Sequence, residues 1–155
     1  MNPSREFLKV VIAALVALLL PGAAAFAQSS PSATPRVVLK GYDAVAYFTE
    51  KRPVQGSPQI SYDWDGERYL FSSTANRARF AANPDRYAPQ FGGYCTGSMS
   101  AKRQLEADPE AWIVLDGKLY VFGQVKFAEI ARNDPKWLAD RIPLAAVNWQ
   151  GIKTK

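Results

Sequence analysis

Apolar and polar residues alternate with period two on both sides of Asp65-Gly66: Tyr62 and Trp64 precede the dipeptide, and Tyr69 and Phe71 follow it. Such alternation marks strands whose alternate side chains face a core, and Asp-Gly supplies the two positive-φ residues of a type I′ turn. ISYDWDGERYLFSS therefore predicts a β-hairpin with one aromatic face. WIVLDGKLYVFG shows the same pattern around Asp116-Gly117, with Trp112 and Val114 set against Leu119 and Val121.

After the first hairpin the period lengthens. Ser72, Ser73 or Thr74 can cap a helix by accepting from its free N–H groups; Ala75, Ala78, Phe80 and Ala82 supply its apolar surface, and Asn83-Pro84 ends it. Residues 85–89 predict a further turn that presents Tyr87, and Asp108-Pro109-Glu110 is a helix-start or turn signal. Residues 125–149 predict two helical pieces divided near Asn133-Asp134-Pro135, where Asn or Asp caps and Pro takes the first turn. Upstream, RVVLKGYDAVAYF predicts a short strand, a turn at 41–43 and one helical turn or extended piece ending at Phe48; EKRPVQGSP is a loop. The expected fold is α+β, a small single domain with two antiparallel β-hairpins and short helices. The two hairpins are alike, without a wider internal repeat.

The N-terminus follows another pattern. Arg5 and Lys9 precede an apolar run over residues 10–20, Pro21-Gly22 break it, and Ala25-Phe26-Ala27 gives the small-x-small site a signal peptidase accepts. The run falls short of the roughly 20 apolar residues a membrane span needs, so no stable span is expected after cleavage. The organisation expected is a signal peptide over 1–27, a flexible Ser/Pro/Ala-rich leader over 28–35, a folded domain over 36–150 and a C-terminal tail over 151–155, in a periplasmic or secreted protein. Loss of Arg5, Glu6 and Lys9 lowers the formal net charge from +5 to +4. The remaining basic residues are interspersed with acids instead of forming one stripe, which argues against nucleic acid as partner; a small ligand or a protein partner is expected.

The chain holds no histidine and one cysteine. Without histidine the usual nucleophilic triads and most zinc sites cannot be assembled. With a single cysteine the domain must hold together without an internal disulfide.

GYDAVAYF at residues 41–48, YLFSSTANRARFAANPDRYAPQFGGYC at 69–95 and DPEAWIVLDGKLY at 108–120 together resemble the exported proteins of the YHS-domain family. The resemblance implies a treble-clef-related fold, and a metal association, because related YHS segments accompany heavy-metal and copper transport proteins. Metal-associated members carry a cysteine in a Pro-Val-Cys-Gly-Met pattern and often another after the hairpin. Here those stretches read Asp43-Ala44-Val45-Ala46-Tyr47 and Phe71-Ser72-Ser73-Thr74, without a thiol, so that ligand set does not carry over.

The remaining candidates lie close together in the chain. Cys95 and Met99 stand four apart, so on a helix their sulfurs share one face, and soft sulfur donors suit Cu(I). Against that stand two other readings of Cys95, as a small buried apolar residue or as a redox or intermolecular thiol. Gly92 and Gly93 either offer backbone N–H groups to an anion or complete a tight turn. Tyr42 and Asp43 either present a phenol and a carboxylate to a ligand, or Asp43 caps the following turn. Tyr94 and the other large aromatics either line a ligand pocket or form the core. Asp43, Asp63, Asp65 and Glu67 fit hairpin and cap duties better than a catalytic acid and base. A non-catalytic binding module for a soft metal or small ligand is expected, with a structural or partner-binding domain and a cofactor-free enzyme as the alternatives.

Overall fold

The computed structural model describes residues Thr34–Thr154; the signal peptide expected over 1–27 and most of the leader lie outside them. The described elements are α1 (Ala46–Thr49), β1 (Ser57–Trp64), β2 (Glu67–Phe71), α2 (Thr74–Ala82), α3 (Pro84–Tyr87), α4 (Thr96–Ser100), β3 (Asp108–Leu115), β4 (Lys118–Phe122), α5 (Val125–Asn133), α6 (Pro135–Ala139) and α7 (Ile142–Lys153). β1 pairs with β2 and β3 with β4, giving two separate two-stranded antiparallel sheets. The α+β hairpin architecture is the expected one. Both Asp-Gly turns form as their chemistry dictates, with φ of 53° and 78° at Asp65 and Gly66 and of 50° and 72° at Asp116 and Gly117.

The elements recur as a set, and this corrects the expectation of no wider repeat. Positions match at a step of 52 residues before each hairpin (41 to 93) and 51 within and after it (57 to 108, 83 to 134). Each copy opens with a left-handed turn, Leu39-Lys40-Gly41 or Phe91-Gly92-Gly93, with positive φ throughout. Next comes a bridge from Tyr42 to Gln55, or from Tyr94 to Glu106. Even the register shift in the hairpin is shared, between Ser57 and Ser61 in one copy and Asp108 and Trp112 in the other. Two helices close each copy, the second capped by Asn83 or Asp134 and begun by Pro84 or Pro135. α7 follows the second copy and has no partner in the first.

β3 and β4 separate two apolar clusters. Leu119 and Val121, with Trp112 and Val114, pack with Tyr47, Tyr69, Phe71 and Phe80. Their alternate neighbours Ala111, Ile113, Tyr120 and Phe122 pack with Cys95, Met99, Leu138 and Ala145. Period two thus serves a core on each face of this hairpin, where one had been expected.

Four local expectations change. The predicted strand near residue 37 is only a single bridge from Val37 to Arg68, followed by the left-handed turn. Ala75, Ala78 and Ala82 are exposed on α2, whose buried residues are Asn76 and Phe80. Asp108-Pro109-Glu110 begins a strand, its bend closed by the Glu110 N–H donating to Asp108 Oδ1 at 3.0 Å. Beyond residue 125 there are three helices, and α7 continues through the expected tail boundary at 150 to Lys153. Among the described residues no helix is long and apolar enough to cross a membrane.

Asn76 is buried because of Asp43, which has 0% exposure. Asp43 Oδ1 accepts from the Val45 N–H at 2.9 Å. Its Oδ2 accepts from the Ser72 N–H at 2.9 Å, the Ser72 hydroxyl at 2.7 Å and Asn76 Nδ2 at 2.7 Å. One side chain thereby ties the turn before α1 to the end of β2 and the start of α2. Asp43→Ala leaves the Val45 N–H and the Asn76 amide buried without an acceptor and is expected to cost about 3 kcal/mol or more, against about 1 kcal/mol for Ser72→Ala. Urea unfolding of the two variants checks the order; equal small losses would contradict it.

Burial holds the phenols of Tyr47 and Tyr69 well above their ordinary pKa of 10.0, with smaller contributions from Glu110 and Glu67 respectively. A raised folded-state pKa contributes stability that is complete below the unfolded value and disappears as pH rises past it toward the folded value. Stability is therefore expected to fall from about pH 10 upward. Absorbance of phenolate at 295 nm should show these two tyrosines ionising only as circular dichroism reports unfolding. Ionisation of all seven tyrosines in native protein would refute this.

Candidate functional site

The carboxylate of Asp43 has no exposed surface, and its oxygens are taken up by the four hydrogen bonds described above. It caps the turn leading into α1. Tyr42 is half-buried against the first cluster, its backbone paired with Gln55. The structure brings neither to a surface where a ligand could meet the pair.

Cys95 is the counterpart of Asp43 in the second copy, and its surroundings have changed with it. Gly123 stands where Ser72 stands, and Phe127 where Asn76 stands. A Cβ placed at Gly123 would lie 3.8 Å from Cys95 Sγ, an ordinary van der Waals contact, so the sulfur faces the position that the hydroxyl-bearing residue holds in the first copy. A polar knot has become apolar packing. Cys95 is 5% exposed and Met99 0%, both within the second cluster. α4 is a short helix in which the Met99 N–H donates to the Cys95 carbonyl at 2.9 Å.

The donor chemistry fits the implied copper poorly. A Cu(I) site of Cys95 and Met99 needs a thiolate and at least one more ligand for firm binding. Among the described residues no group of three His, Cys, Asp or Glu is placed to hold a metal. Phe122, Ala128 and Leu138, which share the apolar cluster with the two sulfurs, carry no donor atoms. They offer neither a third donor nor a cation to balance a thiolate.

Gly92 and Gly93 have a different setting. Both sit in the second left-handed turn, at φ of 62° and 76°. A Cβ at Gly92 would come within 2.7 Å of the Trp149 ring, and one at Gly93 within 3.0 Å of Val38. Glycine is required by conformation and by close approach alike. The Gly92 carbonyl accepts from Arg36 Nη2.

Arg36, which no sequence signal singled out, organises this region. Its Nε and Nη2 donate to Glu67 Oε1 at 3.3 and 3.2 Å, and its Nη1 donates to Glu106 Oε1 at 3.2 Å. The guanidinium lies 4.1 Å from the centroid of the Tyr94 ring, a cation–π distance. Burial raises the pKa of the Tyr94 phenol, while Arg36 opposes the shift. The guanidinium therefore links hairpin one to the turn and loop that open copy two.

Beside Arg36 lies a cleft of about 490 Å³. Trp64, Asp65, Glu67 and Tyr69 of the first hairpin form one side; Asp85 and residues 88–92 form the second; Trp149, Gln150, Ile152 and Lys153 of α7 form the third. Trp149 is held against Gly92 and stands 6.0 Å from Tyr94, ring to ring. Lys153 pairs with Asp65 across the rim. A second, more open groove of about 550 Å³ runs along Tyr47, Phe48, Trp112 and Val114. There the phenol of Tyr47 turns inward to the Pro109 carbonyl and Arg132 donates to the Trp112 carbonyl. Charged groups and aromatic residues from three elements converge on the first cleft, so it is the candidate site. Of the residues weighed from sequence, Gly92 lines it, as do Trp64, Tyr69 and Trp149 of the large aromatics and the carboxylates Asp65 and Glu67; Tyr94 supports it from behind Arg36 and Trp149.

A family model described as YHS domain matches residues 45–91. The matched segment runs from just before α1 to the turn that opens the second copy, so the similarity falls on the first copy. No curated protein and no solved structure matches the chain.

The packing of Cys95 predicts a protected thiol. Native protein should react with a thiol reagent about 100-fold or more slowly than urea-unfolded protein, and Cys95→Ala should cost about 1–2 kcal/mol by loss of packing. Immediate stoichiometric labelling of folded protein would show that the thiol is accessible and that this placement is wrong.

Proposed function

We propose that this chain is an exported, non-catalytic binding module whose YHS-containing domain takes a small ligand in the cleft between the first hairpin, the second left-handed turn and α7. The observation that carries the reading is the convergence of aromatic walls and charged groups from three elements on one cavity of about 490 Å³, within the size range of small-molecule sites. Export rests on the basic start, apolar run and Ala25-Phe26-Ala27 of the N-terminus. The non-catalytic reading rests on the functions that the nearby carboxylates already perform. Asp43 is consumed by the turn, Asp63 pairs with Arg68 at 2.7 Å, and Glu67 is bound by Arg36.

Two measurements test the proposal. Mass spectrometry of protein from the periplasmic or culture fraction should find a mature chain beginning at Gln28, and a full-length chain in the cytoplasm would contradict export. A thermal-shift screen across cationic, neutral and anionic compounds that fit the cleft should yield stabilising ligands. Ala146→Phe, at an exposed cleft-lining position on α7, should abolish those shifts while leaving the unliganded melting temperature within about 2 °C. Ligands unaffected by Ala146→Phe would bind elsewhere, and a screen without ligands would defeat the binding reading.

A further inference from the structure

The second groove, of about 550 Å³, joins parts of both copies: Tyr47, Phe48 and Lys51 from the first, Ala131, Arg132 and Pro135 from the second, and residues 112–115 of β3. The register of the hairpin fixes how the β3 backbone points there. Asp116-Gly117 is a two-residue turn, so Leu115 and Lys118 form the hydrogen-bonded pair that closes it, and Ile113 and Tyr120 form the next one. Trp112 and Val114 fall in the alternate pairs, and their N–H and C=O groups point away from β4. Arg132 Nη2 meets the Trp112 carbonyl on that side at 2.6 Å. The Trp112 N–H and both backbone groups of Val114 make no hydrogen bond with any described residue. The groove therefore follows a free strand edge.

Charge identifies what would complement this edge. Lys51 and Arg132 are exposed on the groove and no acidic residue lines it. Neither cation forms an ion pair with any described carboxylate; Glu110 on β3 and Glu129 on α5 stand outside the lining and pair with neither. The chain's own segments beyond the described residues do not supply the opposite charge. Residues 1–33 hold one acid, Glu6, and Lys155 is basic. A second copy laid edge to edge would bring its own Lys51 and Arg132 against the same cations. Between the two charges, the half-buried rings of Phe48 and Trp112 offer apolar surface.

We infer that this groove takes an extended, acidic peptide segment of a partner protein, added as a third strand to the free edge of β3. Its backbone meets the Trp112 N–H and the two groups of Val114, its carboxylates meet Lys51 and Arg132, and its apolar side chains lie on Phe48 and Trp112. Main-chain pairing supplies affinity in such a strand addition, and the flanking side chains supply selectivity. The groove is separate from the cleft beside Arg36, and neither site depends on the other.

Fluorescence anisotropy of labelled hexapeptides on the purified protein tests this. A peptide of alternating valine and glutamate should bind about tenfold or more tightly than its valine–lysine counterpart, and its affinity should fall as salt is raised. Only every second N–H of an added strand faces the edge, so N-methylation of one alternate set of amides should abolish binding, while methylation of the other set should change it less than about threefold. Lys51→Gln and Arg132→Gln, both at exposed positions, should each weaken binding about threefold. Val114→Pro removes an outward donor at an edge position that tolerates proline and should abolish binding, with circular dichroism checking that the fold persists. Equal affinity for the lysine peptide, equal effects of the two methylated sets, or no binding of the glutamate peptide would each overturn the inference. Self-association of the protein that Val114→Pro abolishes would make a second copy the occupant and overturn it as well. Ala146→Phe should leave peptide binding unchanged; loss of binding there would place the peptide in the first cleft and overturn the assignment to β3.

Discussion

A carboxylate taken out of water must find its donors within the protein, and meeting that requirement at Asp43 shapes the first copy of this fold. Its acceptors draw together the Val45 N–H, both donors of Ser72 and the Asn76 amide. The turn, the strand end and the helix start therefore cannot move independently. α2 carries little apolar surface, with only Asn76 and Phe80 buried. Its attachment comes from that amide and from the Phe80 ring, which packs against Tyr69 at 4.4 Å and Phe71 at 5.2 Å between centroids. A helix with so little apolar contact needs a polar anchor, and Asp43 is the anchor.

The second copy solves the same problem without charge. Asp43, Ser72 and Asn76 are replaced by Cys95, Gly123 and Phe127, and burial of apolar area takes over from hydrogen bonding. α5 then packs through Ala128 and Ala131, and Trp137 of α6 stands 6.1 Å from Phe122. The cysteine is thus best understood by its position in the duplicated unit. It takes the place of a structural carboxylate, and the change of three residues together keeps the site dry and packed.

Much of the fold was legible because its signals are local. The Asp-Gly turns, the Ser73 cap on Asn76, and the paired caps at Asn83 and Asp134 each act within four residues, where residue type alone carries the physics. The duplication was not legible. The two copies share turn glycines, Asp-Gly pairs and capping prolines, while the residues that fill their interiors changed chemistry, so the similarity survives in geometry more than in letters. The cleft was harder still. Arg36 meets its partners at separations of 31, 56 and 70 residues, and α7 reaches the first hairpin through Lys153 and Asp65, 88 residues apart. No periodicity or motif encodes contacts of that range. Sequence signals drew attention to Cys95, yet the nearby residues that line the cleft are Phe91 and Gly92.

Duplication also explains why the cleft lies where it does. Within each copy the interior is closed, by the Asp43 knot in one and by apolar packing around Cys95 in the other. Where copies meet, complementary surfaces must be made from hairpin, turn and loop, and here the fit is completed by elements outside the repeated plan: Arg36 before it and α7 after it. These two additions bring in most of the cleft's specific chemistry, a guanidinium that fixes Glu67 and a tryptophan that rests on Gly92. Surface chemistry built at such a junction can change through Arg36 and α7 without disturbing either core. The internal polar cluster of the first copy has no such freedom, because each of its donors already holds the fold together.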